Sequence, residues 1–258
     1  AELKSRGVLM TRNGAARAFD LAAQIQPAHP IKVYDRPGWR APGVYLTPWG
    51  EAITADADAS SQVALASGAL PKGAAQDGTR EGWTEAVKAA FDLGLVQFQV
   101  GALAAFASPI MDLCGYDSRT IFFTGAAGRG KSTSHEIQAS AWGDPRIKMG
   151  LFGTFDTTAN ALEVSLQQMS GAGGSADELK VMRGRGQLQQ LLFMIASGSG
   201  KSRMDYRGGG LRGTALWRCM FTASYEDSLA SFLRADGEMI MPGLGARVLD
   251  CLLYTSPS

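Results

Sequence analysis

Near the middle of the chain, glycines, a lysine and two hydroxyl residues have the spacing of a phosphate-binding loop. Residues 125–132 read GAAGRGKS and match the pattern G-x-x-x-x-G-K-[ST] at every fixed position. Glycine lets backbone N–H groups converge on phosphate oxygens, and the N-terminus of the following helix adds a positive dipole end. We therefore predict a phosphate loop for a nucleotide, formed by Gly125, Ala126, Ala127, Gly128, Arg129, Gly130, Lys131, Ser132 and Thr133.

Two side chains of this phosphate loop have distinct predicted roles. Lys131 is expected to reach the β- and γ-phosphates, and the Ser132 hydroxyl is expected to ligate Mg²⁺. The expected ligands are therefore ATP and Mg²⁺. The loop follows the strand-like run TIFFT and precedes a helix-like run bounded by Gly143 and Pro145, which is the context that this mechanism requires.

The loop alone does not distinguish a kinase, a GTPase and an ATPase, so a second acidic site matters. One candidate is Asp156, on the strand directly after the loop's helix. The other is the later pair Asp177 and Glu178, in which Asp177 binds Mg²⁺ and Glu178 activates water. The pair suits hydrolysis better. However, the preceding GAGGSA is a weak strand and could be a loop in which the pair only caps a helix.

Further polar residues are candidates for contacts with water or phosphate. Ser224, near the end of the strand-like run LWRCMFTAS, could orient the attacking water or be an ordinary strand-end hydroxyl. Lys201, Arg203 and Arg207 lie in a glycine-rich basic segment, residues 197–213, that could contact nucleic acid or a neighbour's nucleotide, or face solvent. Arg234 could reach a neighbouring subunit or be a surface arginine.

The elements around these residues alternate between strand and helix. Such alternation predicts an α/β domain with a parallel sheet sandwiched by helices, which we assign to residues 80–250 as a P-loop NTPase domain. Residues 1–76 have short β-rich runs broken by proline and glycine, which predict hairpins in a small N-terminal α+β lobe. Trp39, Tyr45 and Trp49 there could form a base-stacking surface or the core of the lobe.

Composition favours a globular protein with no global charge bias. Hydrophobic residues make up 45% and charged residues 19% of 258, and the formal net charge is +1. The three cysteines lack metal-ligand spacing, and no secretory signal is evident, so we expect reduced thiols and a cytoplasmic protein without a membrane span. The apolar run LVQFQVGALAAFASPIM predicts a buried helix. The final octapeptide, residues 251–258, reads like translated adapter sequence and is expected to be non-native.

The order of several motifs resembles one known family. The fragments are GWRAPGVYLTPWGEAI, GTREGWTEAV, ASPIMDLCG, GAAGRGKSTSHEIQASAWGDP, TANALE, ADEL, GSGKSR and ARVLD. Together they resemble the domain of unknown function 927 family of phage- and plasmid-associated, helicase-like P-loop proteins. The resemblance implies an ATPase with an additional strand and an Asp-Glu pair. It maps the phosphate loop onto Gly125–Thr133, the acidic pair onto Asp177 and Glu178, and the basic segment onto Lys201.

The resemblance also implies a setting for the chemistry. It predicts an ATPase of a phage or mobile element that couples hydrolysis to movement on DNA, in the cytoplasm of a bacterium or phage-infected host. Primase or other replication partners and a homo-oligomer are expected. Two alternatives remain open: an ATP-dependent switch or assembly protein that moves no strand, and a small-molecule kinase that uses Asp156.

Overall fold

A computed structural model describes residues 31–55, 62–147, 150–177, 185–205, 210–234 and 239–253. The chain divides into two compact units, residues 1–32 and 33–258. Only the last two residues of the first unit are described, so the architecture below is that of the second. The expected division into residues 1–76, 80–250 and 251–258 stays a prediction.

In the described part of the chain, five short strands precede the larger sheet. Three of them form one antiparallel sheet in the order β2-β3-β4, as the proline- and glycine-bounded runs predicted. A second, two-stranded sheet pairs β1 with β5. The bounds are β1 (Lys32–Tyr34), β2 (Gly38–Ala41), β3 (Val44–Leu46), β4 (Ala52–Thr54) and β5 (Val63–Leu65), followed by a 3₁₀ turn at Ser67–Ala69.

The aromatic residues of these strands belong to a core cluster. Tyr45 is buried, and its hydroxyl donates to the Gly171 carbonyl at 2.9 Å. Its ring packs edge-on against Trp39, 5.4 Å away between centroids, and Trp49 and Trp142 complete the cluster. Because Tyr45 is buried and Trp39 and Trp49 pack around it, the structure favours a core role over base stacking.

The main sheet has five parallel strands. Their spatial order is β12-β6-β11-β8-β7, so one strand, β11, lies between β6, which enters the phosphate loop, and β8, which ends at Asp177. The bounds are β6 (Arg119–Thr124), β7 (Phe152–Thr154), β8 (Gly174–Asp177), β11 (Met220–Tyr225) and β12 (Val248–Leu252). The second half of the weak run before Asp177 is thus a strand, and its first half, residues 171–173, is a turn that leads into it.

Helices flank this sheet. Threonine caps begin two of them: Thr79 accepts from the Gly82 N–H, and Thr158 accepts from the Ala161 N–H. The helices are α1 (Arg80–Asp92), α2 (Val96–Cys114), α3 (Lys131–Ser140), α4 (Ala159–Gln168), α5 (Arg185–Ser197) and α6 (Leu229–Arg234).

Both faces of the sheet are buried, as expected for parallel strands. Phe122 and Ala223 point into a cluster that contains residues of α4, α5 and α6. Ile121 and Phe123, their alternating neighbours, pack with Ala104 of α2 on the other face. The period of two along β6 and β11 therefore places the side chains of Thr222 and Ser224 on the same side as α2 and α3.

Helix α2 differs from the fully buried helix that we expected. With 19 residues, the helix is long and apolar enough to cross a membrane, but only 33% of its most apolar 18-residue stretch is buried in the fold. One side packs against α3 so closely that a Cβ on Gly101 would overlap the Ser134 carbonyl oxygen. The other side exposes Leu103, Ile110 and Leu113. Such a helix is weak evidence for a membrane span, because core helices of soluble proteins have the same composition.

Part of the basic segment also differs from expectation. The sequence suggested a loop, whereas β9 (Arg203–Asp205) and β10 (Gly210–Arg212) form an antiparallel hairpin. Three successive cross-strand pairs join Arg203 to Arg212, Met204 to Leu211 and Asp205 to Gly210. Of the described basic residues in this segment, Arg203 and Arg212 therefore lie on paired strands, and Lys201 lies just before them.

Candidate functional site

The phosphate loop is a strand–turn–helix junction. Strand β6 ends at Thr124, and α3 begins at Lys131 directly after Gly130. Gly130 has a φ of 82°, and a Cβ there would stand 2.8 Å from the Phe98 ring. A larger residue would be strained by both the backbone angle and the contact. Residues 126–129 are exposed, so the backbone of the loop is accessible from solvent.

Lys131 folds back onto the loop that contains it. Its Nζ donates to the Gly125 carbonyl at 2.7 Å and to the Ala126 carbonyl at 2.9 Å. A lysine ammonium has three donors, so two of them close the loop and one remains. The positive charge is therefore held at the mouth of the loop, where an anion would meet it together with the N-terminus of α3.

Asp177 joins the start of α3 to the end of β11. Its Oδ2 accepts a hydrogen bond from the Ser132 hydroxyl at 2.8 Å, and its Oδ1 accepts one from the Ser224 hydroxyl. The sheet explains the second contact, since Ala176 pairs with Ala223 and the next residues, Asp177 and Ser224, follow on neighbouring parallel strands. The predicted loop serine, acidic residue and strand-end serine thus meet at the carboxyl edge of the sheet.

A buried polar network lies beneath this contact. The Thr222 hydroxyl donates to Gln138 Oε1, while Gln138 Nε2 donates to the Met220 carbonyl at 3.0 Å. Because the Thr222 proton is used in this way, His135 Nδ1 must donate to Thr222 Oγ1, which lies 2.8 Å away. This arrangement fixes the neutral His135 tautomer with its proton on Nδ1.

His135 is fully buried and its other nitrogen, Nε2, has no hydrogen-bond partner within the described part of the chain. Burial lowers the pKa of His135 from 6.5 to about 4, although the nearby Asp177 charge opposes this shift. The ring packs between Phe123, at 5.4 Å, and Phe152, at 4.9 Å between centroids. Near neutral pH the histidine is therefore uncharged.

A cleft of about 820 Å³ opens beside the phosphate loop. The loop forms one part of its lining, through residues 128–133. The start of α2 forms another part, with Gly94, Val96, Gln97 and Phe98, and Cys251, Leu252 and Leu253 line the rest. This volume lies in the range of small-molecule and cofactor pockets.

The other predicted residues lie elsewhere or outside the described residues. Glu178 and Arg207 are outside them, and for Arg203 only the backbone in β9 is described. Lys201 and Arg234 are exposed. Asp156 is exposed and lines a different cleft, of about 360 Å³.

The oxygen atoms at the loop fit Mg²⁺. Magnesium prefers hard oxygen ligands and keeps several waters, so a serine hydroxyl and one carboxylate suffice beside nucleotide phosphates. Ser132 Oγ and Asp177 Oδ2 lie 2.8 Å apart, and each could supply an oxygen ligand to the ion. Among the described residues, no group of three or more His, Cys, Asp or Glu side chains is arranged to hold a metal ion.

Sequence reasoning missed His135 and Phe98. His135 follows Ser132 by three residues on α3, so its position below the loop serine was in principle readable from helical periodicity. Its partner Thr222 is 87 residues away, which no local pattern indicates. Phe98 has no sequence signal at all, because its contact with Gly130 depends on how α2 packs against α3.

Comparisons with known proteins concern the family and the fold. The model of the domain of unknown function DUF927 matches residues 1–214. A solved structure described as "SCCmec type IV Cch - active helicase" is similar at a TM-score of 0.71 and 18% identity, over 99% of this chain and 47% of that one. The chain thus spans about half the length of that structure, and at this identity the likeness concerns the fold.

Two other comparisons add no argument. NtrX from Brucella abortus aligns at 16% identity over 65% of this chain and 41% of its own, with a TM-score of 0.34. This score is too low to support an inference about the fold. No curated protein matches the sequence.

Proposed function

Since the chain belongs to the DUF927 family, we propose that it is an ATP-hydrolysing, helicase-like P-loop protein of a phage or mobile element that acts on DNA. The observation that carries this proposal is the contact of Ser132 with Asp177 at the mouth of the phosphate loop. A loop hydroxyl next to a strand-end carboxylate is the arrangement with which P-loop NTPases hold Mg²⁺ beside the β- and γ-phosphates.

The sheet order supports an additional-strand fold for the proposed ATPase. In the described sheet β11 lies between β6 and β8, so Asp177 is two strands away from the strand that enters the loop. Ser224 on the intervening strand donates to the same carboxylate. In this proposal Ser224 responds to nucleotide binding, because any movement of Asp177 changes the hydrogen bond between the Ser224 hydroxyl and the Asp177 carboxylate.

Each residue of the site has a defined role in the proposed reaction. The phosphate-loop N–H groups and Lys131 bind the phosphate oxygens, and Ser132 and Asp177 hold Mg²⁺, which when bound neutralises charge on the β- and γ-phosphates. Glu178 is proposed to orient and deprotonate the attacking water. Glu178 lies outside the described residues, so its role rests on the sequence and the resemblance alone.

The helicase-like part of the proposal is supported by the family and by the fold. The similar structure is described as an active helicase, and it is about twice as long as this chain. A motor acting on DNA, a homo-oligomer, replication partners such as a primase, and a cytoplasmic setting are therefore parts of the proposal. The exposed Lys201 and the hairpin that follows it are the surface we propose for the nucleic acid.

The test is ATP turnover by the purified chain with and without single-stranded DNA. We expect DNA to stimulate turnover, Lys131→Ala to abolish nucleotide binding, and Glu178→Gln to bind ATP without hydrolysing it. The control is Lys88→Ala, because Lys88 is exposed on α1 and pairs only with Asp92 among the contacts described. It should leave turnover unchanged.

The alternatives give different results in this experiment. ATP binding or turnover that DNA leaves unchanged would favour a switch or assembly protein over a motor. Transfer of phosphate to a metabolite would favour a kinase. A Lys131→Ala variant that binds Mg-ATP as tightly as the parent would refute the nucleotide site itself.

A further inference from the structure

The cleft beside the phosphate loop is larger than the loop needs for phosphate alone. Only part of its lining comes from loop residues 128–133, and the start of α2 contributes another part. Its volume of about 820 Å³ leaves room for a nucleoside next to the phosphates. Cys251, Leu252 and Leu253 also bound this volume. They belong to the segment that we expect to be non-native, so the base site is placed on the α2 side of the cleft.

Phe98 places an aromatic ring where the phosphate loop ends. Its Cε1 and Cζ lie 2.8 Å and 3.0 Å from the position of a Cβ on Gly130, so the ring edge abuts the loop backbone. The side chain is half-buried and lines the cleft. An aromatic ring at this position offers a stacking surface for a planar base.

Gln97 adds a polar group to the same part of the cleft. Its Nε2 lies 3.8 Å from the position of a Cβ on Gly130. A glutamine side chain offers two donors and an acceptor, a combination that pairs with the N6 and N7 atoms of adenine. The ring and the amide are adjacent in sequence, and both line the cleft next to the loop.

We propose that Phe98 and Gln97 bind the nucleobase of the nucleotide whose phosphates occupy the phosphate loop, Phe98 by stacking and Gln97 by hydrogen bonds to an adenine edge. This inference rests on the proposed function, since it needs a nucleotide at the loop. The loop motif predicts only where the phosphates bind. Phe98 and Gln97 would add the residues that bind the base. The helix α2 thereby contributes to substrate specificity as well as to packing.

The test compares Mg-ATP with Mg-tripolyphosphate, which has the phosphates but no base. Binding of both is measured calorimetrically for the parent, Phe98→Leu and Gln97→Leu. Leucine keeps apolar contact with Gly130 and removes the planar ring. We expect Phe98→Leu to weaken ATP binding about tenfold and Gln97→Leu to weaken it several-fold, with tripolyphosphate binding unchanged. Phe91→Ala, at an exposed aromatic on α1, is the control and should change neither ligand.

The outcomes separate this inference from the proposed function. Equal loss of ATP and tripolyphosphate binding would mean that Phe98 only supports the loop, and it would overturn the base site while leaving the ATPase proposal intact. Unchanged ATP binding in both variants would also overturn the base site. A parent chain that binds neither ligand would refute the proposed function and this inference together. Gln97→Leu should in addition lower the ratio of the affinity for ATP to the affinity for GTP. An unchanged ratio would show that Gln97 does not bind the base.

Discussion

At the scale of single residues, Asp177 is the group on which the site depends. It accepts from Ser132 on α3 and from Ser224 on β11, so one carboxylate connects the phosphate loop to the neighbouring strand. In the proposed magnesium site, this carboxylate would also hold the metal-ligating Ser132 hydroxyl in place, and such a group is costly to replace. Asp156, the competing candidate, is exposed and lines a different cleft.

Substitution of the two aspartates should therefore have very different effects. We expect Asp177→Asn to lower apparent magnesium affinity in ATP turnover by about 10- to 100-fold, because the amide keeps the shape and removes the charge. Asp156→Asn is the matched control and should change turnover by less than about twofold. A magnesium titration of steady-state hydrolysis measures both. If Asp156→Asn had the larger effect, the metal site would move to Asp156 and the kinase alternative would gain support.

His135 makes the stability of the chain depend on pH. Its pKa is lowered by burial to about 4 in the folded protein, against 6.5 for the unfolded chain. Between pH 4 and pH 6.5 the histidine is protonated in the unfolded chain but not in the folded one. The free energy of unfolding therefore decreases as the pH falls below 6.5. From pH 7 to pH 5 we expect the free energy of unfolding to fall by about 2 kcal/mol through this residue.

Urea denaturation at pH 7 and pH 5 tests this expectation. The variant His135→Asn retains a donor to Thr222 near the Nδ1 position and cannot titrate in this range. It should be less stable at pH 7, because packing against Phe123 and Phe152 is lost, but its loss of stability between pH 7 and pH 5 should be smaller than that of the parent. The same pH dependence in both proteins would show that His135 does not titrate in this way.

At the scale of elements, the position of the phosphate loop is set by the packing of α2 on α3. Gly101 allows the two helices to approach until its Cα faces the Ser134 backbone. Two further residues of α3, Gln138 and His135, hydrogen-bond β11 through Thr222. Helix α3 is therefore fixed by contacts with both α2 and the sheet, and the loop at its start is positioned with it.

The substitution Gly101→Ala should disturb this packing. The added methyl group overlaps the Ser134 carbonyl, and backbone cannot move aside as a flexible side chain would, so we expect a loss of about 1–3 kcal/mol in stability. Gly82→Ala is the matched control, at an exposed helical glycine of α1. A Cβ there meets only the Thr79 side chain, at 3.1 Å, and not backbone, and alanine's higher helix propensity of about 1 kcal/mol acts in its favour, so we expect no comparable loss. Thermal and urea unfolding measure both. Gly101→Ala with the stability of the parent would mean that α2 can shift away from α3.

At the scale of the whole molecule, the charge distribution matters more than the net charge. The formal net charge is only +1, so binding to a polyanion needs a local cluster of cations. The segment around β9 and β10 provides one in the sequence, with Lys201, Arg203 and Arg207. It leads into β11, the strand that carries Ser224, so the proposed DNA surface and the proposed nucleotide site are connected through this strand.

The triple variant Lys201→Ala, Arg203→Ala, Arg207→Ala tests this surface. If each cation neutralises about one phosphate, the slope of log affinity for DNA against log salt should become shallower by about one unit per residue removed. ATP affinity without DNA should stay the same. Lys88→Ala is the control for loss of a surface charge. An unchanged slope would mean a solvated surface, and a loss of ATP affinity instead would indicate contact with a neighbouring subunit's nucleotide.

The sequence by itself determined the phosphate loop, the alternation of strands and helices, and the family resemblance. These features depend on residues that are close together in the sequence. The loop motif runs only from Gly125 to Ser132, and the hydrophobic periodicity of a strand or helix is read within a single element. The run before Asp177 was ambiguous, because its small residues have low β propensity. It is a strand because β11 and β7 pair with it on both sides.

Tertiary structure alone decided which side chains meet. Ser132 and Asp177 are 45 residues apart, His135 and Thr222 are 87 apart, and the Phe98 ring reaches Gly130 only because α2 lies on α3. The order of strands in the sheet brings Ser224 to the same carboxylate. Such contacts depend on how whole elements pack against each other. Hydrophobic periodicity indicates on which face of its element a residue lies, but it does not indicate which residue lies opposite.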